Sequence, residues 1–306
     1  CHMRSTLTAI LNNNYSACFT EKSLRSLKKA AYRENVQGLL YLALRHQGGD
    51  AAGRLSLLFE NAYYSGIVSN MMKLRAIEEM ECAFRQQKLA GLVIKGASLL
   101  EHVYSDLGMR VMEDIDLVVP PLQRNQVATC LENLGFYRSP LYPHLFHKAD
   151  VTIDVHQDPV NSDRIASRKA LWSLPFDYIW DRSLPFKPGY CCLRRPSDDM
   201  NVLFLGHHLI KHSLAKLIWL FDIKKILEVK EEAFWRKLSQ TVKENRQQRL
   251  MGQLLYLLVQ MDGWKRPKAA GLDEYRHDLT RLETAILDFW FRTDQTGDSG
   301  LVLSMF

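Results

Sequence analysis

The sequence predicts an α/β (α+β) chain, a small mixed-sheet core flanked by N-terminal and C-terminal helical regions. Three observations carry that prediction. Between residues 51 and 89, apolar side chains recur at helical spacing with charges between them, as at Leu55, Leu58, Ala62, Met71, Leu74 and Phe84. From residue 90 to about 160 the pattern becomes short β-prone runs, at Gly91-Leu92-Val93-Ile94, Ile115 to Val119 and Val151 to His156. Beyond residue 175 the helical period returns. At 306 residues and 47% hydrophobic side chains, the chain can bury one large or two modest cores.

Three segments follow in order: a helical region over 3–89, a core over 90–174 and a helical region over 175–306. The native start is expected at Met3, with Cys1-His2 read as an expression scar. In the core, Gly91 to Ile94 makes the first strand, and Gly96 lets the chain turn tightly into an apolar helix over Ala97 to Tyr104. Asp114 to Val119 gives a second strand, Gln123 to Leu134 a helix ending at Gly135, and Val151 to His156 a third strand by strict alternation. Pro175, Pro185, Pro188 and Gly189 mark a loop-rich connection. Asp198 or Asp199 is then placed to cap a helix that runs on through His208 and His212.

The chemistry concentrates in the core. Asp114 and Asp116 are two residues apart on a β pattern, so both carboxylates leave one face and can share divalent cations. Unpaired acids are costly to bury in a run as apolar as Ile115-Asp116-Leu117-Val118-Val119, which puts them on a cleft. Upstream, Lys95 adds a cation, and the Gly96 turn with the Ser98 hydroxyl offers a helix start whose free N–H groups attract a triphosphate. Arg110 fits either a phosphate contact or a salt bridge that steadies the acid pair. Magnesium takes oxygen ligands, usually one or two carboxylates plus substrate phosphates, and this set supplies them. For a third acid, Thr152, Asp154 and His156 share a face, and Asp154 is the choice. Asp158, directly before Pro159, ranks second, and Asp150 reads as a turn residue. His156 is read as a structural donor or as a group beside the phosphates. Each piece alone is ordinary, since Asp-x-Asp is common at strand ends and Lys95 could be a surface lysine.

The ordered blocks Lys95-Gly96, Arg110-x-x-x-Asp114-Ile115-Asp116-Leu117 and Ile153-Asp154-Val155-His156 resemble the DNA polymerase β-like nucleotidyltransferase superfamily. Within it they look like the bacterial family labelled uncharacterised nucleotidyltransferase. A second block, Leu203 to His212 followed by Leu217-Ile218-Trp219-Leu220-Phe221-Asp222-Ile223, is similar to the helical segment that follows the catalytic core in that family. The turn departs from the superfamily's Gly-Gly or Gly-Ser, because Ala97 stands second and Ser98 one place later. The resemblance implies a polymerase β-like core and an enzyme that moves an NMP from an NTP to an acceptor hydroxyl with release of pyrophosphate. It further implies Mg2+ as cofactor, as two ions and with Mn2+ as the alternative, held by Asp114, Asp116 and Asp154. Asp154 would also help activate the acceptor, and Gly96 and Ser98 would contact the nucleotide. Alternatives in the same frame are a toxin-like nucleotidyltransferase that modifies tRNA or protein, and a non-catalytic nucleotide-binding module.

His208 and His212 share one helix face at the spacing of a zinc pair, but no glutamate follows His208 and no third ligand stands near in sequence. The helix is therefore read as facing the nucleotide, with His208, Lys211 or His212 reaching phosphates and Asp222 orienting one of them. Trp219 and Phe221 read as core residues. Six cysteines lack Cys-x-x-Cys spacing and Cys191-Cys192 are adjacent, which argues against a disulfide framework and predicts reduced thiols in a cytoplasmic protein. No apolar stretch approaches the ~20 residues of a membrane span. A net charge of +6 with interleaved acids suits a nucleotide, a phosphorylated acceptor or RNA without choosing among them.

Overall fold

The structure is a computed structural model that describes residues 3–12, 20–160, 172, 174–228, 230–261, 275 and 279–292. Cys1-His2, read above as a scar, lies outside the described residues. The helices α1 (Met3–Leu11), α2 (Glu21–Arg33), α3 (Gln37–Gln47), α4 (Asp50–Ser56) and α5 (Glu60–Gln87) come first. The mixed segment follows as β1 (Gly91–Ile94), α6 (Lys95–Leu100), β2 (Ile115–Val118), α7 (Arg124–Asn133), β3 (Tyr137–Arg138), β4 (Leu145–Lys148), β5 (Val151–His156), α8 (Phe176–Asp181), β6 (Leu184–Pro185) and β7 (Leu193–Arg195). Helices α9 (Asp198–Lys211), α10 (Leu217–Leu227), α11 (Glu232–Glu244), α12 (Gln248–Gln260) and α13 (Arg281–Arg292) complete the described chain. None of the described helices is long and apolar enough to cross a membrane.

The chain divides into two compact units, Ser65–Phe204 and the combination of Cys1–Tyr64 with Leu205–Phe306. The first unit holds a seven-stranded mixed sheet in the order β3-β4-β5-β2-β1-β7-β6. β2 is central, antiparallel to β1 and parallel to β5, with Asp116 opposite Ile94 on one side and Asp154 on the other. Every residue of β1 and β2 is buried, which is why these strands read as continuous apolar runs rather than alternating ones. β5 keeps its alternation, with Val151, Ile153 and Val155 buried and Thr152 and Asp154 partly open.

Local details differ from the sequence expectation. The left-handed residue of the turn after β1 is Lys95, with φ of +54°, and not Gly96. Gly96 matters for a different reason: a Cβ there would lie 2.3 Å from Arg110 Nη1, so the guanidinium would have to move. α6 starts at Lys95 and stops at Leu100, short of Tyr104, because the N–H groups of His102, Val103 and Tyr104 all converge on the Leu99 carbonyl in a closing turn. α9 begins at Asp198, so Asp198 and Asp199 occupy its first turn rather than its cap, where carboxylates still complement the helix dipole.

The second unit is helical. At its centre, Arg4 Nε donates to Glu34 Oε1 at 2.9 Å, and the Arg4 guanidinium also donates to the carbonyls of Trp290 and Leu214 at 2.6 and 2.5 Å. Glu34 Oε2 accepts the Leu217 N–H at 2.8 Å. One buried ion pair thereby ties α1 and α2 to the starts and ends of helices near the other end of the chain, satisfying charges that would otherwise be costly to bury.

Candidate active site

Strand register assembles the acids. β2 and β5 run parallel with Asp116 and Asp154 in register, so both side chains leave the same face. His156 lies two residues beyond Asp154 on β5 and returns to that face. The ligating atoms of Asp116, Asp154 and His156 all lie within 4.8 Å of one another. Lys95 Nζ donates to Asp116 Oδ1 at 2.5 Å, and His156 Nε2 lies 2.8 Å from that same oxygen and 3.1 Å from Asp154 Oδ2. His144, just before β4, brings its Nε2 to 3.9 Å from the other oxygen of Asp154.

The charges are strongly coupled to burial. Asp116 is only 5% exposed. Burial alone would raise its carboxyl, but Lys95 and His156 outweigh it and hold Asp116 well below the ordinary carboxylate range. For His156, burial disfavours the charged ring, yet hydrogen bonds to Asp116 and Asp154 prevail and raise it. Asp114, half-buried just ahead of β2 and outside the group of three, is pushed up to about 6, by burial first and then by the charge of Asp116, against the pull of Lys95.

Two polar residues of α5 that give no signal in the sequence support this corner. Asn70 is fully buried and clamps the segment leading to β2, donating to the carbonyls of Leu107 and Arg110 at 2.7 and 2.6 Å and accepting the Met112 N–H at 3.1 Å. Lys73 is buried with its Nζ donating to Ser69 Oγ at 2.7 Å, and its charge, weakened by burial, is favoured by Asp114 and Asp150. In a helical pattern both look like ordinary surface positions, which is why the sequence does not single them out.

The other expected residues fall as follows. Arg110 is buried against the Gly96 backbone. Ser98 differs from expectation: it is fully buried, with its hydroxyl donating to the Lys95 carbonyl at 2.8 Å and accepting from Asn201 Nδ2 at 3.2 Å, so it braces the turn from inside. Asp158 accepts the Val160 N–H at 2.7 Å, a local turn bond, and Asp150 is exposed in the β4–β5 turn beside Ala149, whose φ is +48°. His208, Lys211 and His212 lie on the part of α9 that belongs to the helical unit. There Trp219 is half-buried rather than core, 4.4 Å from the His208 ring and 5.4 Å from that of His212, while Phe221 is buried as expected. Among the described residues, no further histidine, cysteine or acid joins the His208–His212 pair into a metal-binding group.

A family model described as Uncharacterised nucleotidyltransferase matches residues 20–263, well over half of the chain. Comparison with curated proteins and with solved structures finds no match.

Proposed function

The chain belongs to the uncharacterised nucleotidyltransferase family, and from that membership we propose a Mg2+-dependent enzyme that moves an NMP from an NTP to an acceptor hydroxyl. The observation that carries this reading is the convergence of Asp116, Asp154 and His156 from adjacent parallel strands, with ligating atoms within 4.8 Å. The donor set fits a hard divalent cation, because carboxylate oxygens dominate it. Asp114, Asp116 and Asp154 would hold Mg2+, or Mn2+, and such ions when bound stabilise the entering and leaving oxygens of an in-line displacement.

The protein's own groups take the remaining tasks. Asp154, partly open to solvent, is the base that accepts the proton of the acceptor hydroxyl as its oxygen bonds to the α-phosphorus and the bond to the pyrophosphate oxygen breaks. Lys95 and Arg110 supply positive charge beside the Gly96 turn for the phosphates. His156 holds Asp116 and Asp154 at a fixed separation. The test is transfer of label from α-phosphorus-labelled NTPs, with Mg2+ or Mn2+, to pools of small hydroxyl compounds, RNA and protein. Labelled product with an equal amount of pyrophosphate is expected. Absence of product in every pool, together with no metal-dependent nucleotide binding, would overturn the reading.

A further inference from the structure

We propose that Cys191 and Cys192 form a chelating dithiol site for one thiophilic divalent metal ion. The site lies at the opposite end of β1 from the acids: the Gly91 N–H donates to the Cys192 carbonyl at 3.0 Å, whereas Asp116 pairs with Ile94. Neighbouring residues in an extended chain point to opposite faces. Here the chain bends just ahead of β7, and the two Sγ atoms approach to 3.6 Å.

The bend is built. Glu81 is 3% exposed, and its carboxylate accepts the consecutive N–H groups of Cys191, Cys192 and Leu193 at 3.0, 3.2 and 2.7 Å. Those bonds and the Arg85 guanidinium, which donates to Glu81 Oε1 at 3.0 Å, hold the Glu81 carboxylate below its ordinary range although burial pushes the other way, so the carboxylate that fixes the bend is itself paired. Both Sγ atoms and a Glu81 oxygen lie within 4.8 Å of one another. A tetrahedral ion at ~2.3 Å from each sulfur separates the two sulfurs by ~3.7 Å, close to the spacing already present. A disulfide, at ~2.05 Å, would require the sulfurs to close much further. Cys191 is exposed, which leaves an entry path and room for water in the remaining coordination positions.

Binding exchanges two thiol protons for one M2+ ion, so two protons leave for each ion bound. Because both thiols must lose a proton to bind, affinity rises with pH. The experiment titrates the reduced, metal-free full chain with Cd2+ alone and with Zn2+ alone, reading the thiolate-to-cadmium ultraviolet band and proton release. One ion per chain with two protons released is expected, and excess Mg2+ should not displace it. Cys191→Ser and Cys192→Ser should each weaken binding by at least about tenfold, since even indirect losses around metal sites cost that much. Cys82→Ser should leave it unchanged. No band in the reduced wild-type chain, or an unchanged band in the double serine variant, would overturn the proposal. The readout needs no catalytic activity and stands apart from the reading of the acidic site.

Discussion

At Asp116, Lys95 and His156 meet a single carboxylate oxygen, and together they outweigh the cost of burying that charge. Acids inside the apolar runs around Asp116 and Asp154 stand out because burying a carboxylate without partners is costly. Gly96 was legible as a special position but for the wrong reason, since backbone strain falls on Lys95 and the glycine instead makes room for Arg110. Gly96→Ala would set its Cβ 2.3 Å from Arg110 Nη1. The expected outcome is weaker NTP binding as the guanidinium is displaced, with a melting loss below the about 1–3 kcal/mol of a rigid overpacked core, because the clash falls on the far end of a flexible side chain. Calorimetry and nucleotide titration check it, and a variant unchanged in both would refute this account of the turn.

At the scale of elements, β1, β2 and β5 were readable because burial imposes continuous or alternating apolar patterns, and the register between β2 and β5 then follows from the sheet. β6 and β7 were not, because two or three residues around a proline carry too little pattern. The Asn70 clamp was equally hidden, being a tertiary contact made by a helix side chain to a distant loop. Asn70→Ala would strip partners from two carbonyls and one N–H, at a cost of about 1–3 kcal/mol for each group left unsatisfied. Thermal melting should show that loss, and divalent-ion affinity should fall in the folded variant, whereas a change in melting alone would make Asn70 purely structural.

One helical unit joins the first helices of the chain to those after Leu205, a partnership invisible in local patterns because Arg4 and Glu34 look like ordinary helix charges. Arg4→Ala leaves Glu34 buried, and the expected loss is near the lower end of ~3–5 kcal/mol because Arg33 still stands 3.1 Å from that carboxylate. Chemical denaturation measures it, and a loss within error of zero would contradict the assigned role. Acid stability depends on Glu283, where burial would raise the carboxyl but Arg249, Thr280 and Gln253 prevail and hold it at about 2, against an ordinary 4.5. Its folded pKa is depressed, so its contribution is present above pH 4.5 and is lost as pH falls toward 2. Glu283→Gln should therefore flatten the decline of melting temperature across that window, and an unchanged slope would refute the assignment. The most direct test of the acidic site is titration of the chain with Mn2+ in the presence of a non-hydrolysable NTP analogue, followed by electron paramagnetic resonance. The account predicts saturable binding that falls by about tenfold or more in both Asp116→Asn and Asp154→Asn, each still folded by circular dichroism. Equal Mn2+ binding by wild type and both variants, or none by wild type, would contradict it.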